Sequence, residues 1–212
     1  GTTTFRELFE SDLYGRGIRD GHELKMFIPG GASAPWFFPE QVDLPLEGRV
    51  VGGAGSMLGS GAIVVMDETT DAVRACLRVV RFFARESCGK CTPCREGTTW
   101  EEKILQRILD GHGRPNDLDL LLDVADNISP GPYPVAADPD HGLDAIPYPP
   151  RQTTICPLGP SSVAPITSAI RRFRHEFEAK IVQRDLIPVA AEPVDAPDDH
   201  AHDHDDHGAA HV

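Results

Sequence analysis

No stretch of this 212-residue chain stays hydrophobic for long. The longest aliphatic run, Ala62–Met66, is five residues, against the roughly 20 that a bilayer-spanning helix needs, so membrane insertion is not expected. The opening Gly1-Thr2-Thr3-Thr4 brings neither a basic n-region nor an apolar core, and no secretory signal is read there. No Met opens the chain, so processing or excision from a longer protein is expected. Basic charge is scarce as well, with 20 Lys and Arg against 33 Asp and Glu. Seven of those acids lie in Glu192–Val212, which has no Lys or Arg, leaving 26 acids against 20 bases elsewhere. A mildly acidic body lacks the basic patches that neutralise phosphates, which argues against nucleic acid as a partner. Cysteine is limited to five residues, an odd number without a signal peptide, which excludes a disulfide framework and points to a reducing compartment.

What is present is a soluble, globular composition, 40% hydrophobic and 25% charged, long enough for one or two small domains with a real core. Thr4 with Glu7 makes a capping box for a short helix over Thr4–Ser11, with Phe5, Leu8 and Phe9 on its apolar face. Leu24–Ile28 and Ala62–Met66 read as strands, the first ended by Pro29-Gly30-Gly31. Apolar residues at helical spacing predict four further helices. The first spans Thr70–Ser87 on Val73, Cys76, Leu77, Val80 and Phe83. The second is marked by Trp100, Ile104 and Ile108, and the third by Leu118, Leu121, Leu122, Ala125 and Ile128 with Asn116 or Asp117 as cap. The fourth is marked by Ile170, Phe173, Phe177 and Ile181. Four such stripes suggest a small bundle. Pro130–Pro150 holds seven prolines and reads as an extended surface loop whose deletion the site should tolerate. From about Pro188 the chain has too little apolar area to offset ordering entropy and reads as disordered.

Cys88, Cys91 and Cys94 stand at i, i+3 and i+6 in one tight, turn-like segment, and Cys156 follows much later in a loop before a helix. A cubane cluster needs four thiolates on four iron corners, and a compact three-Cys loop plus one remote Cys supplies them. Lys90, Arg95 and nearby amides can favour the thiolate. Four cysteines can also hold zinc, though structural zinc favours paired knuckles over three plus one. Unligated thiols are the third reading.

Lesser features read plainly. Gly52–Gly59 is a turn or linker rather than a nucleotide loop, because no Lys closes it and a strand follows. Cys76 is a small buried hydrophobe, and His175 belongs to a solvated face. Trp36-Phe37-Phe38 is either core or an exposed docking patch. The run around His200, His202, His204 and His207 is a solubilising tail with weak, unselective metal affinity.

Glu86–Gly97 (ESCGKCTPCREG) resembles the signature of the NADH-binding flavoprotein (the F subunit) of respiratory complex I, the NADH-quinone oxidoreductase. Gly55–Glu68 (GSMLGSGAIVVMDE), Cys156–Gly159 (CPLG) and Pro165–Phe177 (PITSAIRRFRHEF) resemble further stretches of it. The similarity spans roughly residues 1–180, less the proline-rich segment. The resemblance implies an α+β chain: an incomplete ubiquitin-like β-grasp of the soluble-ligand-binding type (1–66), then a four-helix bundle holding an iron–sulfur cluster (67–187). An insert (129–152) and a tail (188–212) complete the division. It implies that Cys88, Cys91, Cys94 and Cys156 ligate a [4Fe–4S] cluster, which takes electrons that FMN received from NADH and passes them singly toward quinone. The NADH- and FMN-binding half of the family lies outside this sequence, so the chain alone is not expected to oxidise NADH. The opening hairpin of the β-grasp is likewise missing, and Pro157 stands where many relatives have Ala. Implied partners are the other peripheral-arm subunits of complex I, namely its small and its large iron–sulfur subunits, on the cytoplasmic side of the inner membrane. The homologous diaphorase of an NAD-linked hydrogenase or formate dehydrogenase is the alternative within this chemistry. A zinc-stabilised interaction module is the alternative outside it.

Overall fold

The computed structural model describes residues 3–181, so the acidic, His-rich tail lies outside the described residues. Thr4 Oγ1 accepts from the Glu7 N–H at 3.1 Å, and the Glu7 carboxylate accepts from the Thr4 N–H at 2.8 Å. This reciprocal pair starts α1 (Phe5–Glu10) where the capping box places it. Phe5 and Phe9 turn inward onto Phe27 and Phe37, with ring centroids 5.0 to 6.2 Å apart. Phe27 sits in β1 (Leu24–Ile28), which pairs antiparallel with β2 (Val64–Asp67): Met26 faces Met66, and Ile28 faces Val64. Strand β2 begins two residues later than the apolar run, because the Ala62 carbonyl is still held in the turn by the Gly31 N–H at 2.8 Å. Phe37 exchanges both backbone hydrogen bonds with Phe27, and Trp36, Phe37 and Phe38 are all buried, so this aromatic run is core.

Gly48–Gly53 forms a short helix, α2, which takes in the first two residues of the stretch read as a turn or linker, Gly52–Gly59, while the rest of that stretch is turn and irregular chain. Glycine costs about 1 kcal/mol relative to Ala in a helix, but here full burial of Val51 holds the turn.

Four long helices follow: α3 (Ala72–Glu86), α4 (Thr92–Leu109), α5 (Asp117–Ile128) and α6 (Leu158–Glu178). Helix α3 packs on α4 and α6, α4 also packs on α5 and α6, and α5 packs on α6. Asp71 caps α3 by accepting from the Arg74 N–H, and the five expected positions of its stripe, Cys76 among them, are buried. Asp117 opens α5 with its carboxylate on the Arg114 N–H and the Arg107 guanidinium, which ties the end of α4 to the start of α5. Ile170, Phe173 and Phe177 dock α6 as read from the sequence, with a local break in helical geometry at Phe173.

Helix α4 departs from its sequence reading twice. It starts at Thr92, inside the cysteine motif, with Pro93 in its first turn, so Cys94 is helical rather than part of a turn. Proline fits there because the first-turn N–H has no partner to lose. Its buried face also runs through Gly97, Thr98, Glu101, Ile104, Leu105 and Ile108, while Trp100 is 54% exposed.

The proline-rich segment is not a detached surface loop. Val135 and Ile146 exchange backbone hydrogen bonds, as do Asp138 and Leu143, making a narrow ladder. Val135 and Ala136 are buried, and the Tyr148 N–H donates to the Gly52 carbonyl at 3.0 Å. Gly55, at φ +94°, lies so close that a Cβ there would stand 2.0 Å from the Val135 carbonyl oxygen. Asp138 is buried against the Arg172 guanidinium of α6, which also reaches Glu40 and Asp140. Proline composition reports a lack of helix and says nothing of these tertiary contacts.

One cluster of buried side chains runs from Phe5 to Phe177 and joins the strands to the helices. Lys25 of β1 pairs with Glu176 of α6 at 2.5 Å, and the same carboxylate accepts from the Ala72 N–H that starts α3. Phe38 meets Phe173 edge-on at 5.6 Å.

Candidate metal centre

The segment joining α3 to α4 carries Cys88, and Cys91 caps α4. Gly89 takes φ +78°, a left-handed conformation that glycine adopts without strain, and its carbonyl accepts from Arg95 Nη1 at 2.8 Å. The path therefore doubles back across the first turn of α4. Cys94 lies within that turn and is buried, Cys91 is half-buried, and Cys88 is exposed. The free N–H groups and positive end of α4 stabilise negative charge at its start.

Cys156 reaches the same place through α5. Thr153 Oγ1 donates to the Ile128 carbonyl at 2.6 Å, fixing the incoming loop to the end of α5. Ile128 in turn packs against Gly97 of α4, one turn past Cys94, where a Cβ would come within 2.6 Å of Ile128 Cδ1. Thr154 is buried and donates to the Cys156 carbonyl at 2.8 Å. Its side chain fills the space beside Gly159, in the first turn of α6. The result is direct contact between the two cysteine segments: the Ile155 N–H donates to Cys91 Sγ at 3.3 Å. Cys156 is exposed, and the neighbouring Ile155 is 76% exposed.

Electrostatics tie the four thiols together. Burial raises the Cys94 thiol above its ordinary value, the Ser87 hydroxyl at 3.4 Å pulls it down, and charge on Cys156, Cys91 and Cys88 pushes it up again. All four expected ligands thus lie within electrostatic reach at Cys94. Cys76 is elsewhere, wholly buried on α3, with its thiol pushed up by burial first and then by Glu101. Among the described residues no three His, Cys, Asp or Glu side chains gather tightly enough to hold a single ion. The His-rich run lies outside the described residues. Exposure of His175 agrees with its place on a solvated face.

Ser87, Thr153, Thr154 and Gly97 escape a reading of the sequence. Hydroxyls and glycines are common in loops and helix ends: Gly97 and Thr153 gain their roles only from packing against Ile128 of α5, Thr154 from its contacts with Gly159 and the Cys156 carbonyl, and Ser87 from the turn between α3 and α4.

Residues 74–132 match the NADH-ubiquinone oxidoreductase-F iron-sulfur binding region, which includes Cys88, Cys91 and Cys94. The chain is 42% identical to the F subunit of the NADH-quinone oxidoreductase of Mycobacterium bovis over 84% of its own length and 34% of the relative's. It is 44% identical to the F subunit of Streptomyces coelicolor, covering 85% of this chain and 35% of that one. For the F subunit of Escherichia coli the identity is 38%, over 85% and 36%. The chain therefore spans about a third of the length of the curated relatives it matches and aligns with their C-terminal part. Among solved structures, an NAD+-reducing [NiFe]-hydrogenase in the air-oxidized state superposes with TM-score 0.63 at 26% identity, over 86% of this chain and 27% of that one. The shared architecture is a helical body with a small antiparallel sheet. Among the described residues no helix is long and apolar enough to cross a membrane.

Proposed function

We propose that this chain carries electrons one at a time through a [4Fe–4S] cluster held by Cys88, Cys91, Cys94 and Cys156, as the C-terminal part of the F subunit of an NADH-quinone oxidoreductase. The reading is supported above all by one observation: the Ile155 N–H donates to Cys91 Sγ at 3.3 Å, which sets the segment carrying Cys156 against the one carrying Cys88, Cys91 and Cys94 at the start of α4. A three-plus-one set of thiolates suits a cubane with four iron corners better than structural zinc, which favours paired knuckles.

When bound, the cluster supplies a one-electron redox couple. The chain's own residues hold and tune it. The Ile155 N–H already points at Cys91 Sγ, and the Ser87 hydroxyl sits at Cys94 Sγ. Hydrogen bonds to ligating sulfurs make the reduced, more negative state easier to reach. The start of α4 acts in the same sense. Burial of Cys94 on one side and exposure of Cys88 and Cys156 on the other leaves one open edge for electron exchange.

In this reading residues 1–66 are an incomplete β-grasp domain, of which β1, β2 and α1 are parts. Residues 67–187 form the cluster domain, with 129–152 as an insert. The electrons originate in NADH and FMN bound by the part of the flavoprotein not contained in this sequence. The neighbours are the small and the large iron–sulfur subunits of the peripheral arm, on the cytoplasmic face of the membrane. The diaphorase of an NAD-reducing hydrogenase is the second reading, favoured by the likeness to the hydrogenase structure. Anaerobic reconstitution followed by iron and acid-labile sulfide analysis tests the main proposal. About four of each per chain, with broad visible charge-transfer absorbance, are expected. A colourless chain with one zinc would overturn it.

A further inference from the structure

Helix α4 carries a carboxyl group that the electron-transfer role does not use. Glu101 is 0% exposed, and neither of its carboxylate oxygens has a hydrogen-bond partner among the described residues. It lies seven residues after Cys94, so Cys94, Thr98 and Glu101 stand at i, i+4 and i+7 on one face of the helix. At about 1.5 Å per residue, this places Glu101 on the order of 10 Å below the cysteine turn. Thr98, also fully buried, donates its hydroxyl to the Cys94 carbonyl at 2.8 Å.

Among the described residues no cation faces Glu101 to neutralise its carboxylate. Cys76 is the one titratable group on the buried face of α3. Helix α5 buries Asp117, which is occupied by Arg107. Helix α6 buries no charged side chain. Beyond α5, Tyr133 lies within electrostatic reach, and its hydroxyl donates to Asp126 at 3.1 Å. Both Cys76 and Tyr133 are themselves driven toward their neutral forms, each by burial first. Burial alone pushes the Glu101 carboxyl well above the usual carboxylate range.

We propose that Glu101 is a redox-linked proton site, which takes up a proton from solvent as an electron arrives at the cysteine-held cluster. The balance is simple. A one-electron donor (dithionite or a photoreduced dye in the test) places one negative charge at the start of α4. The Glu101 carboxylate gains one proton to become the neutral acid, and oxidation releases both. Two charges about 10 Å apart at an effective dielectric near 20 interact enough to shift an equilibrium roughly tenfold. Such a tenfold shift is about 59 mV for a one-electron couple.

The proposal rests on the four-thiol reading, so iron and sulfide are measured first on the reconstituted full chain. The midpoint potential is then followed from about pH 6 to 10, a range that brackets documented buried glutamates. The wild type should show a potential that falls with pH by a total of about 59 mV and then levels. Proton uptake on reduction, read with a dye in weak buffer, should peak in the same window. Glu101→Gln and Glu101→Met should both be flat, and the second guards against a folding failure of the first because it suits an apolar core. A flat potential and no proton uptake in the loaded wild type would overturn this proposal alone, as would an unchanged slope in both variants. A chain without iron and sulfide would overturn the ligand reading, and this proposal with it.

Discussion

The backbone N–H of Ile155 donates to Cys91 Sγ at 3.3 Å, across 64 residues of chain. No local motif brings the fourth cysteine to the other three. That hydrogen bond is the end of a chain of contacts from Gly97 through Ile128 and Thr153. The site therefore depends on how α4, α5 and α6 pack.

The five cysteines should separate into two groups. In the proposed site, replacement of Cys88, Cys91, Cys94 or Cys156 by Ala would open one iron corner, and each variant should retain well under the full complement of iron. Cys76→Ala removes only a buried sulfur and should cost on the order of 1 kcal/mol of stability with full iron content. Iron and sulfide per chain after anaerobic reconstitution decide this. A full cluster in Cys156→Ala would remove the fourth ligand from the reading.

Gly159→Ala tests the packing that delivers Cys156. The added Cβ would stand 2.5 Å from Thr154 Oγ1, a short buried side chain already committed to the Cys156 carbonyl. The expected cost is about 1–3 kcal/mol in denaturant unfolding, as for other overpacked cores. Cluster loss on exposure to a chelator should also be faster. Unchanged stability and retention would show that the Thr154 contact is dispensable.

Asp138 should give the proline-rich segment a pH signature. Burial acts to raise its pKa, but hydrogen bonding from His141 and the charge of Arg172 prevail and hold it below the usual carboxylate range. A lowered folded pKa means stability that is present above the unfolded value near 3.8 and is lost as pH falls through the folded one. Asp138→Asn should remove that acid-limb dependence and cost about 1.5–3 kcal/mol at neutral pH, the range for a hydrogen bond to a charged group. Deleting residues 130–149 should destabilise the fold, since Val135 and Ala136 leave the core. Equal melting temperatures would restore the surface-loop reading.

Glu101 has the opposite sign. Its folded pKa is raised, so stability is fullest below the unfolded value near 4.5 and declines as pH rises through the folded pKa. Glu101→Met should flatten this decline and be more stable near neutral pH by about 1–3 kcal/mol, because no unsatisfied carboxyl remains. Urea unfolding at a series of pH values provides the comparison, and parallel curves would contradict the assignment.

Regular stripes are the legible part of this chain. The apolar positions of α3 and the docking residues of α6 follow from spacing, as does the capped start of α1. The start of α4 is harder because Thr92-Pro93 reads as a turn until proline's fitness for a first helical turn is weighed. Anchoring the stripe of α4 on Trp100 sets its buried face one residue away from Glu101, since a large aromatic suggests burial more strongly than a carboxylate does. The three-plus-one cysteine pattern stands out in the sequence as a candidate metal site. The hydroxyls and glycines around it do not, because such residues are common in loops and Gly97 and Thr153 gain their roles only through Ile128, far away in sequence.

The late arrival of Cys156 also imposes an order on biosynthesis. At about 5–20 residues per second, a ribosome takes roughly 3 to 12 seconds to travel from Cys94 to Cys156. Throughout that interval the nascent chain carries Cys88, Cys91 and Cys94 without the Cys156 that the proposed site requires. The helix that seats the missing one, α5, is itself being made. In the proposed reading, a cluster delivered during that interval would meet three of its four ligands, and the full set exists only once the loop before α6 has been made.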